Sequence, residues 1–512
     1  MACQWRTGSG SRQGQAQHGR DKAPDREDVI MITMSRRQLM AGAAGLSLAP
    51  LCRVPATAAD AAKSDSKDVT KILAHYLVSA RYEDLPENVR KAGVRTLLNY
   101  VGVAIGGSHH ETVDIAVAAL APLSGPPQAS LFGRAERLDI MNAAFINGVS
   151  SHIFDYDDTH LKTIIHPGGP VISAILALAE MKPVNGRDLL NALVLGVETE
   201  CRIGNAVYPN HYDVGWHITG TAGVFGAAAA AGRLMGLSEQ QMVWALGLAA
   251  SQPVGLRESF GSMNKSFNPG RATADGLFAA ILASKNYTSS DGMIEAKRGW
   301  ANTISTKQDY REITGELGQR YEAALNTYKP FACGIVLHPA IDAAIQLRNE
   351  NSLTAAQVKS IDMKVNPLVL ELTGKKTPKE GLEGKFSVYH AVAVALIEGA
   401  GGEKQFSDRA VRDGAIIELR GKVNPVIDAA IKPEQVEMSI TLTDGRVLTK
   451  RIEHAIGSLE RPMSDADLER KFKDLAEGII PPQQIATVME RCWTVESLAS
   501  AGDIVAAGRK AA

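Results

Sequence analysis

No sign of charge dominates this chain: 55 Lys+Arg stand against 56 Asp+Glu, a formal net charge of -1 over 512 residues. The basic residues are not gathered into one tract, so the electrostatic footprint of a nucleic-acid binder is missing. Cysteine is scarce. Cys3, Cys52, Cys201, Cys333 and Cys492 form no CxxC pair and no tight Cys/His cluster, which argues against thiolate-held zinc, an iron–sulfur cluster or a disulfide framework. Long apolar runs are lacking too. Leu39 to Leu51 gives thirteen weakly apolar residues, against roughly 20 for a membrane span. The Ala/Gly tract from Thr221 to Gly232 is followed at once by Arg233 and reads as a buried helix. No Gly-rich phosphate loop follows a strand, and no internal repeat is evident. What is present is an ordinary globular composition, 45% hydrophobic and 22% charged, with length for two or more domains at roughly 100–200 residues each. A small-molecule enzyme fits best.

The first sixty residues carry an address. Ser35-Arg36-Arg37-Gln38-Leu39-Met40, the apolar stretch to Leu51 and Pro55-Ala56-Thr57-Ala58-Ala59 have the order of a twin-arginine signal: basic, apolar, then an Ala-x-Ala cleavage site. Residues 35–58 are expected to engage the twin-arginine export machinery and deliver the protein to the periplasm; without that signal it would be cytoplasmic. Pro50 and Leu51 before Cys52 do not make a lipobox, so no stable membrane anchor is expected. Residues 1–34, with Met31 and Met34 just ahead of the arginines, read as an upstream extension from an early start codon. Cleavage after Ala58 removes eight Lys/Arg and four Asp/Glu and leaves 47 against 52 over 454 residues, a mildly acidic body.

The body changes character once. Residues 69–335 read as Ala-, Leu- and Gly-containing helices, among them Glu87 to Ile105, Val171 to Met181, Asp188 to Val207, Gly220 to Met235 and Glu239 to Ala250. Period-two alternation then appears in Ile361, Met363 and Val365, and again in Val436, Met438, Ile440 and Leu442, with Asp444-Gly445 predicting a hairpin into Arg446 to Ile452. With a helix over Phe386 to Glu398, residues 336–460 form an α+β unit. Asp465 to Ala476, Pro482 to Arg491 and Val495 to Lys510 return to helical spacing. The expected fold is mainly α: a large all-helical domain, a smaller α+β lid domain, and C-terminal helices over 461–510 packing back on the first.

Chemistry concentrates in a few places. Asp155-Tyr156-Asp157-Asp158-Thr159-His160 precedes His166-Pro167-Gly168-Gly169-Pro170, which puts His166 just before a helix N-terminus, where carboxylates bind favourably. The bland alternative is an acidic surface loop with a helix cap. Trp216-His217 opens the Ala-rich helix, and Lys265 with Gly270-Arg271 lies before another. A His at a helix start is more often a cap than a catalyst. Lys329 and His338 fall nine residues apart at the domain junction. Together these supply the groups that bind carboxylates and move a proton.

This order of motifs, completed by Lys329-Pro330-Phe331-Ala332-Cys333 and Phe386-Ser387-Val388-Tyr389, resembles the MmgE/PrpD family over roughly residues 69–500. That family includes 2-methylcitrate dehydratase and cis-aconitate decarboxylase. The resemblance implies a helical domain with an α+β lid, a homodimer, and neither cofactor nor metal. It implies Asp155, His166, His217 and Lys265 as catalytic residues, and Thr159, Arg271, Lys329, His338 and Tyr389 as substrate-binding residues. Two features depart from the pattern: Asn268 stands where many relatives have a histidine, and the Asp155–His166 stretch is one residue longer than in the decarboxylase branch.

The implied reaction is a hydro-lyase step on a di- or tricarboxylate. A base removes the proton α to a carboxylate, fixed cations hold the carbanionic charge, and an acid protonates the departing hydroxyl. His217 or Asp155 is the expected base and His166 the acid, with Lys265 and Lys329 as the cations. Decarboxylation or epimerisation shares the same carbanion. Two readings from other classes are a metal-dependent hydrolase or lyase using Asp155, Asp157, Asp158, His160 and His166, and a carboxylate-binding protein without turnover. Because His217, Lys265 and Asp155 lie among Gly, Pro and polar residues, their removal is expected to spare the core.

Overall fold

The computed structural model describes residues 67–510. The twin-arginine, cleavage-site and start-codon readings fall outside the described residues. The fold is mainly α with a smaller α+β part. Its helical part is organised by α1 (Glu87–Gly107), α2 (Ile140–His152), α3 (Gly168–Met181), α4 (Gly186–Val207), α5 (Ile218–Met235) and α6 (Asn264–Ser284). Every residue of α5 from Ile218 to Gly232 is buried, which small side chains permit. At Gly276 of α6 a Cβ would stand 2.5 Å from the Val224 carbonyl oxygen, and at Gly148 of α2 it would stand 2.9 Å from Gly270 Cα. Helices α2, α5 and α6 therefore meet at backbone contact. The ends so fixed carry His152, His217 and Lys265.

A two-stranded antiparallel pair ties the acidic loop to the end of the helical part. β1 (Asp158–His160) pairs with β2 (Asn326–Tyr328), Asp158 opposite Tyr328 and His160 opposite Asn326. This register sets Lys329 beside the residues just before β1.

The α+β part comprises α7 (His338–Asn351), β3 (Val358–Val365), α8 (Pro367–Thr373), α9 (Val388–Glu398), β4 (Val423–Ile427), β5 (Val436–Leu442) and β6 (Val447–Ile452). The sheet order is β4-β3-β5-β6, with β3 and β4 parallel and the other pairs antiparallel. The apolar set of β5 faces inward, as period two requires, and Gly445 takes the φ of 91° that the hairpin turn demands. Strand β4 has no alternation to betray it and contains Pro425, which an edge position tolerates.

After the α+β part, α10 (Asp465–Ala476) and α11 (Pro482–Trp493) complete a core shared with α1, α3 and α4. Phe472 of α10 seats against α1 at Gly102. The helix expected from Val495 to Lys510 is broken into a turn at Val495–Ser497 and a short helix at Gly502–Gly508. Between them the backbone pairs with another segment, Leu498 accepting from Gly186 N–H and Ala501 donating to the Val184 carbonyl, both at 2.8 Å. No helix among the described residues is long and apolar enough to cross a membrane.

Candidate active site

The loop between α2 and β1 holds Asp155 in the left-handed backbone region, φ 50°, which aspartate tolerates better than most residues. Lys265, the second residue of α6, donates from Nζ to Asp155 Oδ1 at 2.9 Å and to His152 Nε2 at 2.8 Å. Lys329 donates to the same Oδ1 at 2.5 Å and to the Asp155 carbonyl at 3.0 Å. An ammonium has three N–H groups, so each lysine keeps one uncommitted. Burial alone would raise the Asp155 carboxyl, but Lys265 and Lys329 overcome it and hold the group well below the usual carboxylate range. Burial, with Lys329 nearby, lowers Lys265.

Three imidazoles adjoin this triad. His152 donates from Nδ1 to Asp157 Oδ2 at 2.6 Å and accepts from Lys265 on its other nitrogen. His166 Nδ1 lies 2.8 Å from the Asp158 carbonyl oxygen, 3.1 Å from Thr159 Oγ1 and 3.5 Å from Asp157 Oδ1. A carbonyl only accepts, so Nδ1 carries the proton and Nε2 of neutral His166 is a lone pair. His217 is the opposite case. Asn268 approaches its Nδ1 at 2.9 Å and Ser259 Oγ at 3.2 Å, while Ser259 spends its own proton on the Leu256 carbonyl at 2.7 Å. Ser259 therefore accepts, the Asn268 amide must present its NH2, and His217 Nδ1 accepts as well. The proton of neutral His217 sits on Nε2. Burial first, and Lys265 after it, keep His217 well below its ordinary pKa; burial does the same for His152 and His166.

A small cleft opens on this cluster, lined by Asp155, His166, His217, Lys265 and Lys329. Ile164, Tyr212, Phe260, Gly334, Ile335, Val336, Leu372, Thr373 and Phe386 complete the lining, the last five from beyond the helical part, and the rings of Phe260 and Phe386 lie against Lys265. The structure thus gathers five of the nine residues named from sequence into the lining. The other four are elsewhere. Thr159 lies behind His166, which it orients. Arg271 points away, paired with Asp275 one turn on, its side chain 44% exposed. His338 is buried against Phe331, and burial lowers it to about 3. Tyr389 is packed in the α+β core with Lys376 over its ring. Phe386, three residues earlier, takes the lining position, because Ser387 caps α9 and the helix carries Tyr389 inward.

Local sequence misled on burial. Asp155, His217 and Lys265 are 3%, 2% and 7% exposed, so they are part of the interior rather than polar ends that can be removed without effect. Lys265 lies inside α6, not before it: Pro269 is the sixth residue of that helix and removes only the bond to the Lys265 carbonyl. Two contributors went unnamed. His152 was hidden in an apolar helix, its signal being the i, i+3 spacing to Asp155. Lys471 sits on the apolar stripe of α10 between Leu468 and Leu475, and a lysine in such a stripe is the cue. Its Nζ donates to the carbonyls of Tyr156 at 2.5 Å and Lys329 at 2.9 Å and to Asn99 Oδ1 at 2.8 Å. Burial lowers it to about 7.

As a metal cage the cluster fits poorly. His152, Asp155 and His166 each bring a ligand atom within 4.8 Å of the others, yet Asp155 is already neutralised by two ammonium groups that would repel a dication. Asp158 is held by Gly168 N–H and Asn326, and His160 by Thr163 and Glu322.

Comparison with known proteins agrees with this geometry. The MmgE/PrpD N-terminal domain matches residues 71–313 and the MmgE/PrpD C-terminal domain residues 331–495. The chain is 24% identical to a cis-aconitate decarboxylase of Aspergillus terreus, over 85% of this chain and 95% of that protein. It is 26% identical to the human cis-aconitate decarboxylase, over 84% and 92%, and 23% identical to a 2-methylcitrate dehydratase of Cupriavidus necator, over 71% and 81%. With both domains matched in order around one cleft, the chain belongs to the MmgE/PrpD family.

Proposed function

We propose that this protein is a lyase that removes the proton α to a carboxylate and expels a β-hydroxyl as water, with His166 as the proton carrier and His217 as hydrogen-bond donor to the departing hydroxyl. The observation that carries the reading is the pair of opposite tautomers bordering one cleft. His166 presents a lone pair, His217 presents an N–H, and Lys265 and Lys329, each with one uncommitted N–H, belong to the same lining. The Cα–H proton passes to His166 Nε2. The electron pair left behind forms the double bond as the Cβ–O bond breaks; His217 Nε2–H donates a hydrogen bond to the departing oxygen, and the proton held by His166 passes to that oxygen to complete water, so both imidazoles end neutral. Lys265 and Lys329 hold the charge that develops on the carboxylate, where fixed cations act most strongly. Asp157 Oδ1 has no hydrogen bond among the described residues and lies 3.5 Å from His166 Nδ1, placed to stabilise the imidazolium. Asp155, tied to both lysines, is a poor base.

The low identity to both kinds of relative leaves the product to the leaving group: the same carbanion, formed by loss of CO2 and protonated at carbon by a proton taken up from water through His166, gives decarboxylation. Exchange in heavy water separates the roles. His166→Gln is expected to abolish α-proton exchange, by about a hundredfold or more, whereas His217→Gln should keep exchange and lose product formation. Exchange that survives in His166→Gln and vanishes in His217→Gln would reverse the assignment.

A further inference from the structure

Among the described residues six that are not glycine hold a positive φ. Five are Asp68, Asp155, Asn286, Glu316 and Ser352, polar residues in turns and at helix ends; the sixth is Ile164, at φ 61°. A β-branched residue adopts that conformation only at a cost that glycine would avoid. The turn that imposes it is fixed on both sides. The His160 carbonyl accepts from Thr163 N–H at 3.2 Å and from Ile164 N–H at 2.8 Å, and His160 N–H donates to the Ile165 carbonyl at 2.8 Å. The His160 ring is held by Thr163 Oγ1 at 2.7 Å and Glu322 Oε2 at 3.0 Å, and His166 N–H donates to Thr219 Oγ1 at 3.2 Å.

Core packing does not account for the isoleucine. Its neighbours Thr163 and Ile165 are the fully buried members of the turn, and Ile165 reaches α4 over Gly204. Ile164 is half-buried and belongs to the cleft lining. It packs against a small cluster of Ile165, Tyr212, Ile218 and Ala222, as Phe260 does, and Phe260 meets the His217 ring edge to face at 5.0 Å. Ile164 therefore stands where the cleft holds its two histidines, two residues from His166 along the chain. Strain kept at such a place shapes the cleft rather than the core.

We infer that Ile164 is a specificity-determining residue, whose branched side chain, held in the cleft by the left-handed turn, limits the size of the substituent on the carbon that gives its proton to His166. This rests on the lyase reading above. Substrates with hydrogen or a small alkyl group on that carbon fit, and bulkier branching is turned away whatever the number of carboxylates.

The test follows α-proton exchange in heavy water with the purified protein on malate, 3-methylmalate and 3-isopropylmalate, and on citrate and 2-methylcitrate, with binding by calorimetry in parallel. Within each series only the substituent on the proton-losing carbon changes. The wild type is expected to exchange 3-isopropylmalate at least tenfold more slowly than malate. Ile164→Gly, which fits the turn without strain and opens the cleft, should raise the ratio of the larger to the smaller member tenfold or more, since one methylene in an apolar pocket commands roughly 10–200-fold. A loosened turn alone would change both members alike and leave the ratio where it was. Ile164→Val, smaller and equally strained, should move the ratio the same way by about threefold, at the low end of that range because it opens less space, and carries the test if the glycine variant does not fold. Equal exchange of malate and 3-isopropylmalate by the wild type, or a ratio within twofold of wild type in the folded variants, would overturn the proposal and leave the lyase reading intact. Binding ranked by substituent size without exchange of any probe would overturn the lyase reading and keep the size limit. Neither binding nor exchange of any probe would overturn both.

Discussion

Replacing Asp155 by asparagine keeps the shape of the loop and removes the charge on which two lysines converge. Both Nζ atoms touch the same oxygen, at 2.9 and 2.5 Å, so they stand at most 5.4 Å apart. At an effective dielectric near 20 their repulsion is about 3 kcal/mol, and removing one partner of a buried ion pair costs about 3–5 kcal/mol. Asp155→Asn is therefore expected to lose about 3–5 kcal/mol of stability near pH 6–7. The loss should shrink as pH rises. Burial and Lys329 already depress Lys265, and without Asp155 it falls further. The folded variant then binds fewer protons than its unfolded chain, whose lysines titrate near about 10.4, so its stability climbs with pH relative to wild type. Urea unfolding followed by circular dichroism at pH 6, 7.5 and 9 reads this directly. A second substitution, Lys265→Met, should restore part of the loss at pH 6, since one ammonium then no longer faces another. A deficit below about 1 kcal/mol, or one that stays constant from pH 6 to 9, would refute the triad as described.

Other outcomes follow from groups away from the reacting atoms. Glu200 is buried with neither carboxylate oxygen bonded among the described residues, and burial, then Asp158, raises it well above its usual value. The folded chain thus holds a proton that the unfolded chain releases above about pH 4.3, so stability falls as pH rises from there, by up to about 1.4 kcal/mol per unit; Glu200→Gln should flatten that slope in denaturant titrations. Cys333→Ser should keep full turnover, because the thiol is buried and burial pushes its pKa up; a hundredfold drop in rate would place a thiolate in the reaction. Arg36→Lys with Arg37→Lys is expected to hold the protein in the cytoplasm, as fractionation would show, and undiminished periplasmic protein would remove the twin-arginine reading.

The legible part of the fold was what period and punctuation encode. Helix Glu239–Ala250, helix Asp465–Ala476 and strand Val436–Leu442 have the limits that their patterns predict, because a single buried face decides each. Strand β4 was invisible since its partner, not its own sequence, makes it a strand. Site residues on three separate helix ends were legible as motifs, but their burial was not. Gly, Pro and polar neighbours around Lys265 suggested a surface, whereas close packing of α2, α5 and α6 through Gly148, Gly270 and Gly276 closes over them. Roles were hidden for a similar reason. The tautomers of His166 and His217 depend on a backbone carbonyl and on Ser259, and neither is a property of the histidine's own segment. Tyr389 and His338 illustrate the converse, residues whose motif neighbours reach the cleft while they fill the core behind it.

Lys471 has one more consequence, for the order in which the protein comes into being. Every residue of the cleft lining lies before residue 390, yet the carbonyls of Tyr156 and Lys329, on either side of the Asp155 turn, are held by an ammonium that arrives with α10. A nascent chain that has left the ribosome through the end of the sheet carries all of its chemistry and lacks the clasp that sets it. Competence is thus deferred to the last tenth of synthesis, and a protein truncated within α10 would bear an intact set of reacting groups without the ammonium that holds the backbone on either side of the Asp155 turn.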